Sequence, residues 1–153
     1  MVFIAESPPA GGTFFYRGNS KLYYATREAF EAAVPALRRH EDFFEAFERL
    51  GCYLDDLSPR PVNHLDMNDP ERREARREGV EPLARRMRRW SPRAAVVVMK
   101  AIVPEADAAL ARAGHEGIPR EALPFPARHA PQYIEQLTQV VRAWRRRRLF
   151  HAL

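Results

Sequence analysis

From Ala94 to Met99 the chain runs apolar without a break. Such a run marks a strand covered on both faces, the habit of a parallel sheet lying between helices. It is also far short of the roughly 20 residues that span a bilayer. Three more short apolar segments fit around it. Val2–Ala5 is the first, and Cys52-Tyr53-Leu54, running into Asp55-Asp56-Leu57, is the second. Ala122-Leu123-Pro124-Phe125 is the weakest, and its prolines suit an edge strand or a strand end.

Helical patterns separate these segments. Residues 21–39 carry Leu22, Ala25, Ala29, Ala33 and Leu37 near helical spacing, with Pro35 placed to split them. Residues 41–50 carry Phe43, Phe44, Phe47 and Leu50 before Gly51. Asp69-Pro70 has the form of an N-cap and first helical residue, and Ser91-Pro92 ends that helix; Gly79 and Pro82 threaten to break it. A shorter helix is expected from Pro104 to Ala113. A last one is expected from about Pro131, with Tyr133, Ile134, Leu137, Val140, Val141 and Trp144 on one face. Strands alternating with helices predict α/β architecture: a three-layer αβα sandwich around a central, mainly parallel four-stranded sheet, in a single domain over 1–153.

In such a fold ligands collect at the carboxyl ends of the strands, so the residues just past each strand are the candidates. After the first come Glu6-Ser7-Pro8-Pro9-Ala10-Gly11-Gly12 and then Phe14-Phe15-Tyr16. The carboxylate, the stiff and open backbone and the rings suit a planar ligand, or the rings fill the core. After the second, Asp55 and Asp56 point to opposite faces of their strand, so one of them faces the crevice. Such a pair either holds a divalent ion or serves without one; Asp66 and Asp69 are too loosely placed to complete a metal site. Lys100 follows the third strand, to meet phosphate or to lie on the surface. Residues 127–130, with Arg128 and His129, form a basic loop that either approaches nucleic acid or only begins a helix.

Other chemistries are excluded by what is missing. The single cysteine, Cys52, allows no internal disulfide and no cysteine-ligated cluster, and its place in a strand makes it a buried small apolar residue. The five histidines show no metal-ligand spacing. No phosphate-binding glycine loop or nucleophile elbow is present, so neither a metal nor a cofactor is expected. No signal peptide or membrane span is visible, which makes a cytoplasmic location the expectation. The charge is +5, and 23 of the 25 basic residues are Arg. Arg binds phosphate bidentately and stacks on bases, although a solvated Arg-rich surface has the same composition.

The order of these motifs resembles the uracil-DNA glycosylase superfamily, most closely the branch that carries an iron–sulfur cluster. That branch opens with Gly-Glu-(Ala/Gly)-Pro-Gly, where this chain has Ala5-Glu6-Ser7-Pro8-Pro9. A following Gly-x-Pro-Phe is similar to Gly12-Thr13-Phe14-Phe15. Thr-Asn-x-x-Lys-x-Arg-Pro after the second strand is similar to Leu54-Asp55-Asp56-Leu57-Ser58-Pro59-Arg60-Pro61. A valine-rich third strand behind a proline matches residues 92–99, and His-Pro-(Ser/Ala) stands where this chain has Phe125-Pro126-Ala127.

The resemblance implies a DNA partner and hydrolysis of an N-glycosidic bond after the base is flipped out of the stack. It implies that Glu6 activates or orients the water. Ser7, Phe14, Phe15, Asp55 and Phe125 would surround the base, and Lys100, Arg128 and His129 would contact DNA. The departures bear on substrate. The cluster cysteines are absent, Phe125 replaces a hydrogen-bonding His, and ionised Asp55 is an acceptor where the branch has Asn. Three readings follow: a glycosylase acting on a deaminated or damaged base, a non-catalytic nucleic-acid-binding module, and an α/β enzyme of nucleosides or sugar phosphates.

Overall fold

The computed structural model describes residues 1–151. Its strands are β1 (Val2–Ala5), β2 (Tyr53–Asp56), β3 (Ala95–Val98) and β4 (Arg120–Leu123). Its helices are α1 (Lys21–Ala33), α2 (Phe43–Arg49), α3 (Pro70–Trp90), α4 (Val103–Arg112) and α5 (Pro126–Arg146). Short 3-10 turns cover Phe15–Arg17, Pro35–Arg39 and Lys100–Ile102. The four strands form one parallel sheet in the order β2-β1-β3-β4. Val2, Phe3 and Ile4 of β1 stand opposite Ala95, Val96 and Val97 of β3. This is the α/β class expected, with the strand and helix inventory of a three-layer sandwich.

The chain gathers into two compact units, each built from separated segments. The sheet unit comprises Val2–Gly12 and Leu54–Ala122; the helical unit comprises Met1, Thr13–Tyr53 and the chain from Leu123 onward. In the sheet unit every residue of β1 and β3 is buried, as the unbroken apolar run requires. Asp69 caps α3 by accepting from the Glu71 N–H at 2.8 Å, with Pro70 at the first helical position. Gly79 and Pro82 do not break this helix. It runs on to Ser91, which adopts a left-handed conformation at the C-cap. Gly79 has a packing role: a Cβ there would fall on the Leu57 carbonyl, so only glycine lets the helix approach this close to the end of β2.

In the helical unit Ser20 caps α1 through the Tyr23 N–H, and Asp42 caps α2 through Phe44 and Glu45. Val34 and Pro35 end α1 and hand the chain to the 3-10 turn, the split that Pro35 predicts. Helices α1 and α5 pack side by side in the same direction. Their contacts ascend together: Thr26 Oγ1 with the Tyr133 hydroxyl at 2.9 Å, Thr138 Oγ1 to the Ala29 carbonyl at 3.3 Å, and Arg142 to the Ala32 carbonyl at 3.0 Å. A cluster of rings fills the rest, with Phe30, Phe43 and Phe47 in mutual contact.

Two expectations at the fourth strand are corrected. The strand is Arg120–Leu123, and Phe125 is not in it but caps α5. Residues 127–130 are the opening turn of α5 rather than a free loop. Pro126 supplies the preset backbone angle that starts this turn. Pro131 cannot continue an undistorted helix, and His129 absorbs the conflict with non-helical angles of φ −133° and ψ 39°. The regular part of α5 thus begins where the sequence placed it, with one kinked turn in front.

Candidate functional site

The parallel register of β1, β2 and β3 puts Glu6, Asp55, Asp56 and Lys100 at the carboxyl edge of the sheet. The chain passes from β1 to β2 on one side, and the next connection returns past β1 to β3 on the other. The crevice-forming switch point therefore lies between β1 and β3, where Glu6 and Lys100 emerge. Met99, just before Lys100, holds a φ of 147°, a strained angle for a side-chain-bearing residue. The loop after β1 is tied to the loop after β2. The Val62 N–H donates to Ser7 Oγ at 3.2 Å, and the Ala10 N–H donates to Asn63 Oδ1 at 2.8 Å.

Glu6 is only 7% exposed, and both its oxygens are engaged by α3. Arg72 makes a forked contact, Nε to Oε1 at 2.8 Å and Nη2 to Oε2. Arg76 Nε reaches Oε1 at 2.6 Å. Both arginines are buried too, and Arg72 also donates to the Leu65 carbonyl. Burial alone pushes the Glu6 carboxyl up, but the hydrogen bonds and charges of Arg72 and Arg76 outweigh it and hold the pKa below the ordinary value. Glu6 is therefore a fixed anion, not a group that takes up a proton near neutrality.

Asp55 faces the same helix. Arg86 Nε donates to its Oδ2 at 2.6 Å, and Arg86 Nη2 donates to the Asp56 carbonyl at 2.9 Å. Arg72, Arg76, Gly79, Leu83 and Arg86 form one stripe on α3, at steps of three and four residues. That stripe seats the helix against the ends of β1 and β2. Asp56, next along the strand, points to the opposite face. It is half-buried, and its carboxylate accepts no hydrogen bond and forms no ion pair among the described residues. Burial and the neighbouring Asp55 push its pKa up to about 7, against the pull of Arg86.

The remaining candidates separate. Lys100 is exposed at the start of its 3-10 turn. Phe14, Phe15, Phe125, Arg128 and His129 belong to the helical unit. Phe15 is a core residue there, ringed by Tyr23, Phe44 and Phe47, so its faces are already covered. Phe14 is half-buried, whereas Phe125, Arg128 and His129 are exposed. Cys52 is buried, which pushes its thiol up to about 12 and leaves it unreactive. No group of three or more His, Cys, Asp or Glu side chains among the described residues is placed to hold a metal ion. None of their helices is long and apolar enough to cross a membrane.

Of the Asp55–Asp56 pair the sequence points to Asp55 through the resemblance, and it does not single out Arg72 or Arg76. The adjacent carboxylates of 55 and 56 were the available signal for Asp56. Nothing local marks Arg72 and Arg76 among the nine arginines between Asp69 and Arg93. No protein-family model matches the chain, and no curated protein matches it.

Proposed function

We propose that the protein hydrolyses the N-glycosidic bond of a base in DNA, as a divergent relative of the uracil-DNA glycosylases acting in the cytoplasm. The observation that carries this reading is Asp56: a half-buried carboxyl, unpaired among the described residues, with a pKa of about 7 at the carboxyl edge of a parallel sheet. Such a group exchanges protons at neutral pH, as acid–base catalysis needs. In the reaction the bond from sugar C1′ to the base nitrogen breaks, and its electron pair leaves with the base. Water oxygen bonds to C1′, and ionised Asp56 takes the proton the water gives up. Glu6 does not accept that proton, because its oxygens are held by Arg72 and Arg76; it serves as a positioning residue that fixes the loop of Ser7 to Pro9.

Base release from single- and double-stranded DNA, and from free nucleosides, tests the reading with uracil, hypoxanthine, xanthine and undamaged bases. Release of one base is expected, rising with pH through about 7, and Asp56→Asn should lower it by ~10²–10⁴ and flatten the pH profile. An unchanged rate in Asp56→Asn would remove Asp56 from the mechanism. Release from nucleosides but not from DNA would favour the nucleoside-enzyme reading, and no release from any substrate would leave nucleic-acid binding without catalysis.

A further inference from the structure

Helices α1 and α5 run in the same direction, so their carboxyl ends lie at the same end of the pair, joined where Arg142 donates to the Ala32 carbonyl. Beyond that point come Arg145 and Arg146 of α5 with Arg147 at its C-cap, and α1 gives way to the 3-10 turn with Arg38 and Arg39. All six arginines are exposed, and none forms an ion pair among the described residues. The nearby acids are few. Glu31 is paired with Arg27 at 2.6 Å, and Asp42 accepts from the first N–H groups of α2, which leaves Glu41 beside the turn. A cation or two at a helix end complements the helix dipole. Six arginines from two segments a hundred residues apart in the sequence exceed that need.

We propose that this end of the α1–α5 pair docks the phosphate backbone of DNA. The inference rests on the reading above in taking DNA as the polymer, and it adds a surface that no base-contacting residue supplies. Guanidinium groups match phosphate oxygens in forked pairs, and their number sets the salt dependence of binding. An anionic membrane fits the patch less well. Surface-lying helices hold membranes through apolar side chains, and among the described residues the large exposed apolar ones, Tyr16, Tyr24, Met67, Trp90 and Phe125, all lie outside the arginine-bearing stretches 38–39 and 142–147.

The test is the affinity of the full chain for a labelled DNA duplex, titrated between ~50 and ~200 mM salt. With about six phosphate contacts, affinity is expected to fall ~10³-fold over that range. Replacing Arg145, Arg146 and Arg147 by Ala should roughly halve the slope of log affinity against log salt. Arg38→Ala with Arg39→Ala should lower it by ~2. Arg73→Ala with Arg77→Ala, in the sheet unit, removes the same charge and should change nothing. Losses in proportion to the charge removed in all three variants would show a response to net charge alone and overturn the surface. So would an unchanged slope in the α5 variant, or binding to anionic phospholipid vesicles but not to DNA. Base release from DNA in a single turnover, with the protein in saturating excess, tests the catalytic reading separately and should not respond to these variants.

Discussion

In the helical unit rings meet rings; in the sheet unit guanidinium groups meet carboxylates. Phe30, Phe43 and Phe47 contact one another there at ring-centroid distances of 5.4–6.0 Å, and Phe15 joins through Phe47 at 5.7 Å. At the carboxyl edge of the sheet, Arg72, Arg76 and Arg86 of one helix hold Glu6 and Asp55 of two strands. Ring packing is tolerant of direction and independent of pH. A buried ion cluster is directional, costs heavily when one partner is lost, and responds to protons. The candidate chemistry sits on the ionic side, where geometry is fixed by charge and one carboxyl, Asp56, has no hydrogen-bond or ion-pair partner among the described residues.

The largest effects should come from cutting each kind of contact at its centre. Glu6→Ala leaves two buried guanidinium groups without their carboxylate and should cost ~3–5 kcal/mol in urea unfolding. Phe47→Ala should cost a similar ~3–5 kcal/mol through lost packing. Acid separates the two. The Glu6 pKa is lower in the folded protein than its ordinary 4.5. Its contribution is therefore present above the unfolded value and lost as pH falls through the folded one. The gap between wild type and Glu6→Ala should close in acid, and the gap for Phe47→Ala should not. Parallel behaviour of the two variants would erase the distinction between the units.

Asp56→Asn should act with the opposite sign. The folded pKa of about 7 lies above the unfolded value of 3.8. Stability tied to its protonated form is full below the unfolded value and lost as pH rises through about 7. The variant should be the more stable protein above neutral pH, by on the order of a few kcal/mol. A stabilised but inactive Asp56→Asn would separate catalysis from folding; a destabilised one would show that the carboxyl has a structural partner. Gly79→Ala should follow at ~1–3 kcal/mol, because α3 must back away from the Leu57 carbonyl. If it also slows base release, the seating of α3 positions the strand ends. Smallest is Arg77→Ala. Its pair with Glu74 is 66% and 55% exposed, so a change within ~0.5 kcal/mol is expected by thermal melting. A larger loss would mean that charge pairing stabilises the sheet unit on its surface as well as at its edge.

Local features were legible in the sequence wherever one segment decides its own conformation. The apolar run at 94–99 became β3, Asp69-Pro70 opened α3, and Pro35 ended α1 through Val34. The fourth strand was misplaced because Pro124 and Pro126 suit a strand end and a helix start equally well, and the pairing of β4 with β3 settled the matter. The stretch from Asp69 to Arg93 reads as a solvated arginine-rich face, since a buried Arg and an exposed one are the same letter. Of its arginines, Arg72, Arg76 and Arg86 turn inward, while Arg73, Arg85 and Arg89 stay exposed with no ion pair among the described residues.

The sequence by itself determined the element types, the parallel sheet and the presence of carboxylates past the first two strands. These follow from hydrophobic period, capping and proline geometry, which act over a few residues. Only the tertiary structure decided that Glu6 is clamped while Asp56 is left to titrate. That outcome depends on which strand face meets α3, and on the close approach that Gly79 permits. A charge is silenced or set free by partners far along the chain, and no local pattern records them.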